Sequence, residues 1–179
     1  MSAFTTRFRR ASVRAGAIAL LASATLAVHA SPAAAVPTCL GLPATIVMTS
    51  TSFPPATSGN DVIVGTTGDD IIDGLDGLDI ICGKGGIDVI HGGAEQDTID
   101  GGADGDQIYG DDASDILYGG GANDVLNGGE GDDSLFGENG DADGFFCGPG
   151  FDYADGGNGN LDFIGPNGSC ETPTTIEIL

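Results

Sequence analysis

From Ile63 onward an aliphatic residue returns at every ninth position: Ile63, Ile72, Ile81, Ile90, Ile99, Ile108, Leu117, Leu126 and Leu135. Two residues before each stands an aspartate: Asp61, Asp70, Asp79, Asp88, Asp97, Asp106, Asp115, Asp124 and Asp133. Such a spacing is the length of a repeated unit, not the period of a helix or a strand. Inside the unit, a triplet such as Val62-Ile63-Val64 predicts a very short strand. The glycine-rich hexamer before it predicts a turn with residues at positive φ. A helix is excluded, because the 32 glycines recur inside every unit and each costs about 1 kcal/mol in a helix interior. A strand and a tight turn per unit reverse the chain every nine residues, so two units close one coil of 18.

The aligned units run GTTGDDIID, GLDGLDIIC, GKGGIDVIH, GGAEQDTID, GGADGDQIY, GDDASDILY, GGGANDVLN and GGEGDDSLF over residues 65–136. The register then slips to Asp143 with Phe145, continues with Asp152 and Ala154, and slips again to Asp162 with Ile164. Twelve rungs in all predict an all-β solenoid over 59–165, two repeats per coil and about six coils. At ~4.8 Å per coil the body is ~25 Å long. Residues 36–58 read as a lead-in, with Leu40, Ile46 and Val47 placed to cover the first coil and Ser50 to Ser58 as a loop. Residues 166–179 read as a C-terminal cap ending in an edge strand at Thr175-Ile176-Glu177-Ile178. The outward Val62, Ile71, Ile80 and Val89 form an apolar patch expected to lie under the lead-in.

Charge changes this picture. The chain has 27 acidic residues against five basic ones. Arg7, Arg9, Arg10 and Arg14 form a basic start, Ala15 to Val28 an apolar stretch, and Ala33-Ala34-Ala35 a small-residue cleavage site. Residues 1–35 are therefore expected to be a signal peptide, and the protein secreted. Arg9-Arg10 raises a twin-arginine route, but Ala-Ser-Val follows, which favours the general one. After cleavage one base, Lys84, faces all 27 acids. That excludes nucleic acid as a partner, and the apolar stretch is too short and alanine-rich to insert in a membrane. Unneutralised, such a chain resists compaction, so a cation is called for. All four cysteines lie after the signal, and an even number in an exported chain favours disulfides. Of three pairings, Cys39–Cys82 and Cys147–Cys170 are favoured, because each ties a non-repetitive end to the repeats. No Cys-x-x-Cys exists, which argues against zinc.

The unit reads Gly-Gly-x-Gly-x-Asp-x-aliphatic-x, and over about 59–165 the chain resembles the haemolysin-type calcium-binding (RTX) nonapeptide-repeat family. The resemblance implies a parallel β-roll with calcium held in the turns between successive coils. It implies that the aspartate of each unit, from Asp61 to Asp133 and on to Asp143, Asp152 and Asp162, supplies a carboxylate. Carbonyls of the glycine loops, with Gly59, Gly68, Gly77, Gly86 and Gly131 at the fourth place, are implied to supply most other oxygens. RTX proteins leave the cell with a C-terminal signal, whereas this sequence carries an N-terminal one. Glu95, Asp104, Ala113 and Ala122 replace the fourth-place glycine, and Leu75, Lys84 and Asp111 the second-place one. Weaker sites are accordingly expected at Asp97, Asp106, Asp115 and Asp124, and the surest beside Asp61, Asp70, Asp79 and Asp88.

Calcium takes 6–8 oxygens at 2.3–2.6 Å. With two units per coil, the aspartates divide into two columns of six. One holds Asp61, Asp79, Asp97, Asp115, Asp133 and Asp152; the other Asp70, Asp88, Asp106, Asp124, Asp143 and Asp162. Carboxylates ~4.8 Å apart repel by ~0.9 kcal/mol even at the dielectric of water, and a cation between them reverses the sign. Five gaps per column set a ceiling of ~10 ions. With one aliphatic residue per rung the core is thin, so metal binding is expected to supply folding energy at an affinity on the order of 10⁻⁴–10⁻³ M.

Other readings are weaker. Asp69, Asp76, Asp112, Asp132 and Glu130 read as solvated charge. Asp141-x-Asp143-Gly144 suggests an EF-hand, but Gly150 falls where its glutamate belongs. His91 is expected to face solvent, and Tyr109 and Tyr118 to lie on opposite sheets. No nucleophile–base pair or nucleophile elbow supports an enzyme, and no regular threonine array supports ice binding. The chief rival is a calcium-dependent adhesin meeting an extracellular partner; the expected state is a monomer.

Overall fold

The computed structural model describes residues 35–49, 56–159, 161–165 and 170–171. The expected signal peptide, up to residue 34, and the strand expected at Thr175–Ile178 lie outside them, as does most of the loop expected from Ser50. Sixteen strands are described: β1 Thr38–Cys39, β2 Leu42–Pro43, β3 Ile46–Val47, β4 Val62–Val64, β5 Ile71–Asp73, β6 Ile80–Gly85, β7 Val89–Gly93, β8 Thr98–Ala103, β9 Gln107–Asp112, β10 Ile116–Gly121, β11 Val125–Glu130, β12 Ser134–Asn139, β13 Gly144–Phe146, β14 Asp152–Asp155, β15 Phe163–Ile164 and β16 Cys170–Glu171. Alternate strands go to opposite parallel sheets. One runs β3-β4-β6-β8-β10-β12-β14-β16, the other β5-β7-β9-β11-β13-β15. The fold is a parallel β-roll.

Register follows the repeat. Ile63 pairs with Ile81, Ile81 with Ile99 and Leu117 with Leu135, each 18 residues on. After the first slip the step becomes 19, with Leu126 opposite Phe145 and Leu135 opposite Ala154. The added residue is absorbed in a turn, because moving it into a strand would turn the aliphatic side chain to solvent. From Ile63 to Ala154, every rung puts its aliphatic or aromatic residue into one continuous core, almost wholly buried. Each such burial stabilises by ~1.5–3 kcal/mol.

The strands are longer than the predicted triplet. β8 to β12 run six residues each, through positions one and two into the third position of the next unit. Gly102 pairs with Gly120, so the turn proper shrinks to positions four to six. Glycine permits this because position one lies against the next coil: a Cβ on Gly101 would stand 2.7 Å from the Gly119 carbonyl oxygen.

The lead-in covers one sheet. Ile46 pairs with Ile63, and Met48 enters the core. Cys39 is buried against Val64 and Cys82, with Ala44, Val62 and Ile80 packed around them. Leu40 and Val47, expected to cover the first coil, are exposed. Ile71 and Val89 lie on the opposite sheet, where Ile71 remains 60% exposed. The expected apolar patch is thus split, because adjacent units face opposite ways. Cys39–Cys82 and Cys147–Cys170 are bonded, with Cα atoms 5.6 and 5.8 Å apart. Closing loops of 43 and 23 residues removes unfolded-chain entropy worth roughly 3–4 kcal/mol each on the chain-entropy model.

Candidate metal centre

Each ladder aspartate follows a turn and precedes the buried residue by two, so its side chain points back along the edge of the roll. From Asp79 and Asp88 onward, Oδ1 accepts a hydrogen bond from the backbone N–H of the aspartate one coil earlier. On one edge Asp61, Asp79, Asp97 and Asp115 donate to Asp79, Asp97, Asp115 and Asp133 at 2.8 Å, and Asp133 to Asp152 at 3.0 Å. On the other, Asp70, Asp88, Asp106 and Asp124 donate to Asp88, Asp106, Asp124 and Asp143 at 2.8 Å, and Asp143 to Asp162 at 2.9 Å. The twelve aspartates therefore stand in two columns, one per edge.

The second oxygen is different. Oδ2 of Asp79, Asp88, Asp97, Asp106, Asp115, Asp124, Asp133, Asp143, Asp152 and Asp162 is buried and accepts no hydrogen bond. A bare buried carboxylate oxygen is costly. Burial pushes the carboxyls of Asp97, Asp106, Asp115 and Asp124 up to about 7, and those of Asp79, Asp88, Asp133 and Asp143 to about 6. The N–H donated to each opposes the shift, and neighbouring carboxylates add to it.

The glycine at position one completes the cradle. A Cβ on Gly92 would stand 2.5 Å from Asp97 Oδ2 and 2.8 Å from the Gly110 carbonyl oxygen. One on Gly101 would stand 2.5 Å from Asp106 Oδ2 and 2.7 Å from the Gly119 oxygen. Gly74, Gly83, Gly110, Gly128 and Gly137 show the same pair, the carbonyl coming from Gly92, Gly101, Gly128, Cys147 and Gly156. One carboxylate oxygen and one carbonyl oxygen of the next coil thus converge on a space that glycine leaves open. This is a hard, all-oxygen donor set of the kind calcium takes. Among the described residues no three His, Cys, Asp or Glu side chains form a metal cluster, so backbone oxygens must supply the rest.

Position one was missed in the sequence reading, which placed the loop oxygens at Gly59, Gly68, Gly77, Gly86 and Gly131. The signal was present: position one is glycine in every unit from Gly65 to Gly137, whereas position four varies. Gly77, Gly86 and Gly131 instead take positive φ and stack on residues of the preceding coil, Gly59, Gly68 and Ala113. The Gly59 and Gly68 carbonyls accept hydrogen bonds from Thr57 and Thr66. Missing fourth-place glycines do not disturb the columns. Glu95, Asp104, Ala113 and Ala122 take the same left-handed conformation, at φ 73°, 69°, 85° and 69°, at roughly 1–2 kcal/mol of strain each. Asp97, Asp106, Asp115 and Asp124, expected to be the weak rungs, hold the same geometry as their neighbours. Asp61 and Asp70, expected among the surest, are the exceptions: Thr57 and Thr66 hydrogen-bond their Oδ2 atoms.

His91 lies outside the ladder, half-exposed, with Nδ1 2.9 Å from Asp111 Oδ2 and its ring stacked on Tyr109 at 4.5 Å. Tyr118 stacks on Phe136 on the other sheet. No curated protein and no solved structure matches the chain significantly. The family described as the RTX calcium-binding nonapeptide repeat (4 copies) matches residues 55–90, 83–117 and 109–141. With their coil register, glycine cradles and columns of carboxylates, residues 55–141 of the chain are a run of RTX calcium-binding nonapeptide repeats.

Proposed function

We propose that this is an exported, non-enzymatic calcium-binding roll that holds its ions between successive coils and folds on them. The observation that carries the reading is the column of buried, bare Oδ2 atoms, each against an open glycine cradle. Asp79 with the Gly92 carbonyl, Asp88 with Gly101, Asp97 with Gly110, Asp106 with Gly119, Asp115 with Gly128, Asp133 with Cys147 and Asp143 with Gly156 would each hold an ion. Other turn carbonyls and water fill the coordination shell. When bound, calcium supplies two positive charges per gap, which turn carboxylate repulsion into attraction across coils.

Without that charge the balance is unfavourable. One large core residue per rung stabilises by ~1.5–3 kcal/mol, while ordering the backbone costs ~1–2 kcal/mol for each residue of the unit. Export is supported by the basic-then-apolar start of the sequence and by two disulfides, which persist in oxidising compartments. Calcium outside the cell, in the range suited to sites of 10⁻⁴–10⁻³ M on the order-of-magnitude scale for extracellular modules, would then fold the chain where it acts. Far-UV circular dichroism of the disulfide-intact chain checks this. The β signal should fall sharply in EDTA and return with calcium; an unchanged spectrum would sink the proposal.

A further inference from the structure

The two N-terminal rungs carry the same aspartate as the others but spend it differently. Thr57 donates its N–H to Asp61 Oδ2 at 2.8 Å, and its hydroxyl lies 2.9 Å from the same atom. Thr66 repeats this on Asp70 Oδ2, at 2.7 and 3.0 Å. Each hydroxyl has one proton, shared in turn between the carboxylate and the carbonyl of Gly59 or Gly68; the N–H stays on the carboxylate. On both edges, therefore, protein donors occupy the oxygen that later coils leave bare.

Both threonines stand at position two of their units. In most later units position two takes positive φ, as at Leu75, Lys84, Gly93, Gly102, Asp111 and Gly120. Its backbone there joins the strand ladder, as where Lys84 pairs with Gly102. Neither threonine takes positive φ, and for a β-branched residue that conformation is a severe outlier. A threonine at position two thus holds the turn in the alternative conformation that aims N–H and O–H at the carboxylate. Asp61 is doubly closed, because its unit has Ala56 at position one. Its methyl group, which packs against the core, stands at the position where every later unit to Gly137 has a glycine without a Cβ. The Asp70 unit keeps Gly65, where a Cβ would stand 2.9 Å from Asp70 Oδ2 and 2.5 Å from the Gly83 carbonyl oxygen.

We infer that Thr57 and Thr66 are metal-replacing caps: they close the gaps Asp61–Asp79 and Asp70–Asp88, so the first coil orders without a cation. The inference rests on the calcium reading above. Of the ten bare Oδ2 atoms, those of Asp152 and Asp162 end their columns, leaving eight gaps for cations rather than ten. Metal-dependent assembly would then be polar. The first coil, its Thr45–Asp61 hydrogen bond and the Cys39–Cys82 staple form a metal-free platform on which calcium adds the following coils.

Calorimetric titration of the full, disulfide-intact chain with calcium alone tests this. The wild type should take up no more than eight ions. Thr66→Gly, which frees Asp70 Oδ2 and allows positive φ, should take up one more than the wild type. Thr66→Val removes the hydroxyl but keeps the β-branched turn, and should leave the number unchanged. Ala56→Gly with Thr57→Gly should add a site at Asp61, whereas Thr57→Gly alone should not. A wild-type uptake above eight, or the same uptake by wild type and Thr66→Gly, overturns the cap. No uptake by any of the proteins overturns the calcium reading itself. If Thr66→Gly does not fold, the wild-type number decides alone.

Discussion

In the first coil, Asp61 rests both carboxylate oxygens on protein donors, and Asp70 rests its Oδ2 on the N–H and hydroxyl of Thr66. Two units later, Asp79 and Asp88 accept the backbone N–H of Asp61 and Asp70 on Oδ1 and nothing on Oδ2. The rungs share strand register, core position and edge. What separates them is the residue four places before the aspartate: threonine in the first pair, leucine and lysine in the second. On the cap inference, position two decides whether a repeat is complete as a piece of protein or is completed by an ion, and Ala56 at position one adds to the closure at Asp61. The aspartate, which looks like the determinant in the sequence, is constant across the divide.

The sharpest way to break this contrast is to neutralise one aspartate of each kind. Asp97→Asn keeps the Oδ1 acceptor but removes the charge from a middle gap. It should lose at least one ion and raise the calcium midpoint of folding about tenfold or more, since a charge-assisted contact is worth roughly 1.5–3 kcal/mol. Asp61→Asn should leave the ion number unchanged. Equal losses in both, by calorimetry, would mean that the first coil is not special.

A smaller effect comes from protons standing in for the metal. Carboxyls of Asp97, Asp106, Asp115 and Asp124 lie at about 7 in the folded, metal-free roll, against 3.8 for an ordinary aspartate. Between those values the folded chain binds more protons than the unfolded one, so stability falls as pH rises. The stabilisation is complete below about pH 4 and gone above about 7. In EDTA the β signal should therefore grow as pH falls from 8 to 5, while in calcium the ions should be displaced over the same range. A metal-free chain less ordered at pH 5 than at pH 8 would contradict the burial of these groups.

The smallest expected effect separates backbone strain from metal binding. Ala122→Gly relieves a φ of 69° and should raise stability in calcium by about 0.5–1 kcal/mol, part of the relief being offset by glycine's freer unfolded chain. The urea midpoint should rise and the ion number stay fixed. A gained ion would show that fourth-place residues do control the sites.

Much of this was legible because the unit length sets everything downstream of it. Two nine-residue units per coil dictate which aliphatic residues stack and which aspartates share an edge, and the hydrogen bonds follow that division. The aspartate spacing also located both slips. What stayed hidden depends on where a missing Cβ points. Glycines at positions one and four look alike as letters, yet Gly101 opens onto a carboxylate and a carbonyl, while Gly131 stacks on the Ala113 carbonyl. The threonine caps were hidden for a related reason. As letters, Thr57 and Thr66 are no more conspicuous than the Leu75, Lys84 and Asp111 that replace glycine at position two; their N–H groups on the aspartates set them apart. Met48 in the core shows a third limit, since a lead-in without repeats has no period to read.

The steps of 18 and 19 residues along each sheet bear on how such a gene can lengthen or shorten. Loss of a single nonapeptide would send each downstream rung to the opposite face and exchange the two edges. Loss or duplication of a whole coil leaves every rung on its own side. Cys82 and Cys147 bracket the stretch in which this can happen without touching either staple. Heritable change in the roll is therefore quantised: it comes by the coil, and with each coil two cation gaps are gained or lost together.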